Sequence, residues 1–153
     1  MADKRWVLAV DPGKMTGLCV FSLEKGGEPV LEWSYEVEEA RFAQAVRHYI
    51  NTVEGLEVVC ERFVITTQTG KNSQAPFSLE LIGVLKQCMR DIGKSEADIY
   101  FQKPADAMNL FPNAALKKLG YWHKGGKDHA NDSIRHALTY LSGNGWMPTG
   151  LID

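Results

Sequence analysis

Two carboxylates stand in apolar strand-like runs, one at the end and one inside. Asp11 closes the run VLAVD ahead of a Pro12–Gly13 turn, and Glu61 sits inside EVVCERFVI. Burying a carboxylate is costly unless it is paired, hydrogen-bonded or bound to a metal. Each has an ordinary explanation when read singly. Asp11 is a common residue type at the first position of a turn, and Glu61 pairs with Arg62 or lies exposed at a strand end. A third group of polar residues is KDHANDSIRHAL, residues 127–138. There His129 and Asp132 are three apart and share a helix face near its N-terminus. Asp128 is predicted to be the N-cap. Alone, His129 and Asp132 read equally well as solvated first-turn residues, the acid being favoured by the helix dipole. His136 falls on the same polar face, predicted to be open to solvent, while Ala130, Ile134, Ala137, Leu138 and Leu141 form the opposite, core-facing stripe. Taken together, a strand Asp, a second-strand Glu and a helix Asp with a His offer converging ligands for a hard divalent cation such as Mg²⁺.

The elements that must position these groups follow from periodicity. Residues 6–10 and 18–21 read as strands, KGG at 25–27 as a hairpin turn, and residues 30–37 as a third strand with alternating polarity. Residues 38–53 switch to helical spacing, with Phe42, Val46, Tyr49, Ile50 and Val53 on one stripe. Residues 57–65 are β-branched and apolar and predict a central strand. The polar loop TTQTGKNSQAP then leads to a helix over 77–92, and DIYFQ at 98–102 gives a fifth strand. Residues 104–119 predict short helical pieces broken at Pro112, and GYWHKGGK connects them to a last helix over 128–142. The pattern βββαβαβα predicts an α/β fold, a five-stranded mixed sheet flanked by helices, as one domain over residues 1–153.

The 77–92 helix has a stripe of Phe77, Leu81, Val84, Leu85, Cys88 and Ile92. Leu79, Ile82 and Met89 extend apolar character round the cylinder, which predicts burial on two sides. The second side is covered either within the chain or by a second copy.

The net charge of −2 argues against a uniformly basic nucleic-acid binder. It hides an asymmetry, however. Residues 22–60 hold eight Glu against Lys25, Arg41 and Arg47, whereas residues 62–127 hold ten Lys or Arg against five acids. Charge alone favours scatter over a solvated surface. In the basic half, Lys71, Lys103, Lys117, Lys118, Lys124 and Lys127 are candidates for phosphate contacts, with Tyr121 or Trp122 available to stack on an unpaired base. Ordinary solvated lysines and core aromatics explain any one of them as well. No segment approaches the roughly 20 apolar residues of a membrane span, and MADKRW lacks the apolar core of a secretory signal. Cys19, Cys60 and Cys88 lie in apolar surroundings without CxxC spacing and read as small buried hydrophobes in a reducing, cytoplasmic setting.

VLAVDPGKMTG, followed by an acid in the later strand VVCERFV and by HANDS opening the final helix, resembles the RuvC-type Holliday-junction resolvases of the ribonuclease H-like superfamily. The resemblance spans residue 6 to about 142 in matching element order. It implies a ribonuclease H-like fold and a crossover junction endodeoxyribonuclease that cleaves four-way and related branched DNA by two-metal-ion hydrolysis. Mg²⁺ would supply the two ions of each active site, with Mn²⁺ able to substitute. The resemblance places the metal-binding acids on Asp11, Glu61 and Asp132, and His129 on a position that relatives fill with Asp or His. It further implies a homodimer whose paired sites act on two strands. A compact member of the kind encoded by bacteriophages fits the length.

The chain departs from the pattern at Ser133, which replaces the usual Ala, and in PADAMNLFPNAALKKLGYW, which matches no family motif. The family's junction-probing aromatic also has no clear counterpart in TTQTGKNSQAP. Rival readings are a YqgF-like nuclease acting on RNA and a non-catalytic junction-binding module. The four intact ligand positions argue against the second. Sugar kinases and actin-like ATPases share an Asp-x-Gly loop but need two such domains, so no nucleotide cofactor is expected.

Overall fold

The computed structural model describes residues 4–63, 75–126, 128–146 and 148. Three strands come first, β1 (Arg5–Asp11), β2 (Met15–Leu23) and β3 (Val30–Glu38), followed by helix α1 (Glu39–Thr52). Strand β4 (Glu57–Glu61), helix α2 (Ala75–Asp91) and strand β5 (Ile99–Gln102) come next. Two short helices, α3 (Pro104–Leu110) and α4 (Asn113–Leu119), precede the last helix, α5 (His129–Gly143). The strands form one five-stranded sheet in the order β3-β2-β1-β4-β5. β1 pairs antiparallel with β2, and β2 with β3, while β1–β4 and β4–β5 are parallel. This is the predicted mixed sheet, and the helical pieces break at Pro112 as the sequence indicates.

The central strands are apolar on both sides because helices cover both faces of the sheet. Along β1, Leu8 and Val10 point into a core shared with Phe42, Val46 and Ile50 of α1 and Leu81, Leu85 and Met89 of α2. Val7 and Ala9 point the other way, into a core with Phe111, Leu116 and the Ile134, Ala137, Leu138 and Leu141 stripe of α5. β4 alternates in the same sense, Val58 and Cys60 toward α1 and α2, Val59 toward α5. The three cysteines are buried free thiols, as their surroundings predict.

One open alternative is decided and two expectations need correction. The apolar character round α2 is covered within this chain. Leu81, Ile82, Leu85, Cys88 and Met89 are all buried within this chain, and only Leu79 and Ile92 remain exposed among the large apolar side chains of the 77–92 segment. A helix wedged between the sheet and α1 needs a wide apolar arc, and that accounts for Ile82 and Met89 without a partner. The strand expected over 57–65 ends at Glu61, with Arg62 N–H adding one more bond to the Gln102 carbonyl at 2.6 Å. Residues 64 and 65 and Lys71 lie outside the described residues. Arg62 also does not pair with Glu61; its guanidinium lies over the Phe101 ring. Among the described residues no helix is long and apolar enough to cross a membrane.

Candidate metal centre

The pleat of the sheet decides where the two strand carboxylates point. Successive side chains on a strand alternate faces, so Asp11 follows Val7 and Ala9 to the α5 face, and Glu61 follows Val59 to the same face. The parallel register Val10↔Cys60 then brings the two strand ends side by side. Asp11 is buried (7% exposed). The turn after it is tied by Thr16, whose hydroxyl donates to the Gly13 carbonyl (3.1 Å) and accepts from the Gly13 N–H (3.3 Å), and by Ser78 of α2, which donates to the Pro12 carbonyl (2.9 Å).

The first turn of α5 approaches these strand ends across Gly17 of β2, where backbone meets backbone with no Cβ between. Gly17 pairs with Glu36 of β3, and Glu36 Oε1 accepts the His129 N–H at 3.1 Å. The first-turn donor is therefore met from the sheet. Asp128 occupies the capping position with left-handed backbone (φ 63°) but makes no side-chain cap; its carbonyl accepts the Asp132 N–H. The expected Asp128 cap is thus replaced by Glu36, a carboxylate that also suits the positive end of the helix. Buried Asn131 secures the chain leading into α5, accepting from His123 N–H (2.8 Å) and donating to its carbonyl (3.1 Å).

The result is a cluster. Asp11, His129 and Asp132 each offer a ligand atom within 4.8 Å of the others, and His129 Nδ1 lies 3.6 Å from Asp11 Oδ2. Glu61 lines the same cleft, a cavity of about 1010 Å³ whose other walls include Lys14, Glu38, Pro104, Ala105 and Met108. All four predicted ligand residues therefore border one space.

Two further side chains back this cluster, and both stand on α5. His136, expected on a solvent-facing polar face, is buried at 1% exposure, with Nε2 3.0 Å from Glu61 Oε2. The HxxD face of the helix looks into the cleft and, one turn later, onto β4 and β5 rather than water. Arg135 is also buried, donating to the Phe111 carbonyl (3.1 Å), to Asn113 Oδ1 and to Asp132 Oδ1. Arg135 stands three residues from Asp132, an ion-pair spacing that is the one signal of its role in the sequence. Lys14 also borders the cleft, and its ammonium lies over the Phe77 ring.

Electrostatics distinguish the carboxylates. Burial, then a hydrogen bond and repulsion from Glu61, push Asp11 well above its ordinary range. Burial also raises Asp132, against the opposing pull of Arg135. For Glu61 burial is again the largest influence and acts upward, but the His136 hydrogen bond leads a set that outweighs it and holds the carboxyl below its ordinary value. Three acids gathered in a half-buried cleft repel one another, and a divalent cation relieves that repulsion. The donors are carboxylate oxygens with one imidazole and no thiolate, which fits Mg²⁺ or Mn²⁺.

The lysines are dispersed. Lys103 precedes α3, whose Pro104 borders the cleft; Lys117 lies over the Trp122 ring; Lys118 and Lys124 are exposed; Lys127 lies outside the described residues. Tyr121 and Trp122 pack against the α5-side core, Tyr121 donating its hydroxyl to the Pro29 carbonyl.

No protein-family model and no curated protein matches this sequence. Among solved structures, RuvC of Thermus thermophilus in complex with a Holliday-junction substrate is similar with a TM-score of 0.71 at 16% identity, covering 91% of this chain and 95% of that one. A second Thermus thermophilus RuvC structure is similar over the same shares at 17% identity, also with a TM-score of 0.71. The likeness shows the fold, which is the ribonuclease H-like fold of RuvC.

Proposed function

We propose that this protein is a metal-dependent endonuclease that cleaves four-way junctions and related branched DNA. The observation that supports this reading best is the convergence of Asp11, Glu61, Asp132 and His129, from two strands and a helix, on one cleft of a RuvC-like fold. Two hard cations bound here would supply activation of the attacking water and stabilisation of the leaving 3′ oxygen. Asp11, the most buried acid of the cluster and the one facing both neighbours, would help hold both. Glu61 would help hold one, and Asp132 with His129 the other. Hydrolysis places water on phosphorus and releases a 3′ hydroxyl. His129, whose side chain is 35% exposed at the cleft, lies where it either completes a ligand set or orients the water. Lys14 at the cleft, and Lys103 next in sequence to the cleft-lining Pro104, hold flanking phosphates. Cutting both strands of a junction calls for two such sites, and a homodimer provides them; Leu79 of α2 and Ile92 just after it are exposed apolar side chains open to that contact.

The substrate is tested with end-labelled four-way junction, flap, linear duplex and RNA–DNA hybrid of matched sequence in Mg²⁺. Nicks near the branch point of the junction, at least about tenfold faster than in linear duplex, are expected from differential transition-state binding. A hybrid cut fastest would favour the YqgF-like reading instead, and junction binding without cleavage of any substrate would leave a binding module.

A further inference from the structure

We infer that His136 is a positioning residue that fixes Glu61 as a one-oxygen metal ligand, with Gln102 setting which ring nitrogen carries the proton. The inference rests on the reading of the cluster as a divalent-metal centre.

His136 is fully buried on a helix whose other inward residues are mostly apolar, including Ile134 and Leu138. An imidazole there is costly unless both nitrogens are satisfied. They are. Nε2 meets Glu61 Oε2 at 3.0 Å, and Nδ1 meets the Gln102 amide at 3.0 Å. The Gln102 orientation that suits every neighbour points its nitrogen at Nδ1 (3.0 Å) and at the His136 carbonyl (3.1 Å), and its oxygen at the Tyr140 N–H (3.2 Å). In that orientation Nδ1 accepts, so the proton sits on Nε2 and is directed at Glu61.

The sheet holds this relay in place. Glu61 and Gln102 are register partners across β4 and β5, and the Gln102 carbonyl accepts the Arg62 N–H at 2.6 Å. His136 thus takes up Glu61 Oε2 from behind, and the side of the carboxylate that faces Asp11 across the cleft is the one offered to a cation. Partners of this kind orient ligands and raise metal affinity. A one-oxygen carboxylate suits Mg²⁺, which keeps several waters, better than Ca²⁺, which takes more oxygens, often two from one carboxylate.

The test measures Mn²⁺ binding to the full chain by calorimetry and by the electron paramagnetic resonance of free Mn²⁺, with melting in EDTA reporting the fold. His136→Gln keeps an N–H donor at the reach of Nε2. His136→Asn is polar but too short to reach Glu61, and His136→Leu fills the space without a donor. Wild type and His136→Gln are expected to bind Mn²⁺ with similar affinity, and His136→Asn and His136→Leu about 10- to 100-fold more weakly. Ring ¹⁵N spectra of the wild type, which need no variant to fold, are expected to show His136 protonated at Nε2 and shifting as Mg²⁺ is added. Wild-type affinity in His136→Asn or His136→Leu, or a proton on Nδ1, would overturn the inference while leaving the metal centre intact. A wild type that binds no Mn²⁺ at all would overturn the metal centre itself, and this inference with it.

Discussion

The carbonyl oxygen of His129 lies 1.8 Å from the point that a Cβ on Gly17 would occupy, and the carbonyl carbon 2.2 Å away. Both are backbone atoms, so nothing flexible can yield. The glycine of the DPGKMTG turn is thereby tied to the far end of the sequence. It lets the first turn of α5 sit directly on β2, and this close seat carries His129 and Asp132 to within ligand distance of Asp11.

Gly17→Ala should therefore push the start of α5 outward while leaving the sheet and the apolar stripe of α5 largely in place. Overpacking of this kind costs roughly 1–3 kcal/mol. Displacing catalytic groups by about 1 Å costs on the order of 10²-fold in rate. Junction cleavage and thermal melting, measured side by side, check this; a variant that melts lower yet cuts at the wild-type rate would show that the approach serves stability alone.

His129 separates the ligand role from that of a solvated first-turn residue. His129→Ala is expected to lower the cleavage rate by about 10²-fold or more with little change in stability, since the side chain is partly exposed at the cleft. His129→Asp should retain more activity than Ala in Mg²⁺, because a carboxylate restores a hard oxygen at the same helix position and suits the helix N-terminus. Single-turnover rates for the three proteins decide the matter, and equal rates would make His129 a bystander.

Asp11 gives a pH dependence with a definite sign in metal-free protein. Its folded-state carboxyl is raised above the ordinary value of 3.8, chiefly by burial and then by Glu61. Between 3.8 and the raised value the folded state keeps a proton that the unfolded chain has lost. Stability linked to this group is thus present at low pH and declines as pH rises through that window. Asp11→Asn removes the group, so the melting temperature of the variant minus that of wild type, measured in EDTA, should grow from about pH 4 toward neutrality. Mg²⁺ at neutral pH should raise the melting temperature of wild type and leave the variant nearly unchanged. A difference that is flat in pH would mean that the cluster does not burden the folded state.

Much of this was readable in the chain itself. Asp11 and Glu61 could be singled out as carboxylates set in apolar strand runs, whereas the end of β4 at Glu61, which brings the two strand ends side by side, was not legible. The HANDS segment could be placed on a helix start from spacing alone. Glu36 was invisible because its role depends on the β2–β3 register that sets it opposite Gly17, and no local pattern encodes that register. His136 was assigned to the correct face of α5, but whether a face meets water or another element is decided by packing, and here β4 and β5 cover it. The width of the apolar arc on α2 was legible, yet a helix packed on both the sheet and α1 produces the same arc as a helix at an interface, so Ile82 and Met89 could not tell the two apart.

If Asp11 holds the metal on which strand cleavage depends, its loss separates junction binding from cutting, and both are read in one preparation. Wild type and Asp11→Asn are each mixed with labelled four-way junction in Mg²⁺ and in EDTA, binding being read by gel retardation and cleavage on a denaturing gel. The account predicts that wild type nicks the junction in Mg²⁺ but not in EDTA. It also predicts that Asp11→Asn binds at least as tightly, having lost a negative charge facing phosphate, and does not cut. Cleavage by Asp11→Asn at the wild-type rate, or undiminished wild-type cleavage in EDTA, would contradict it.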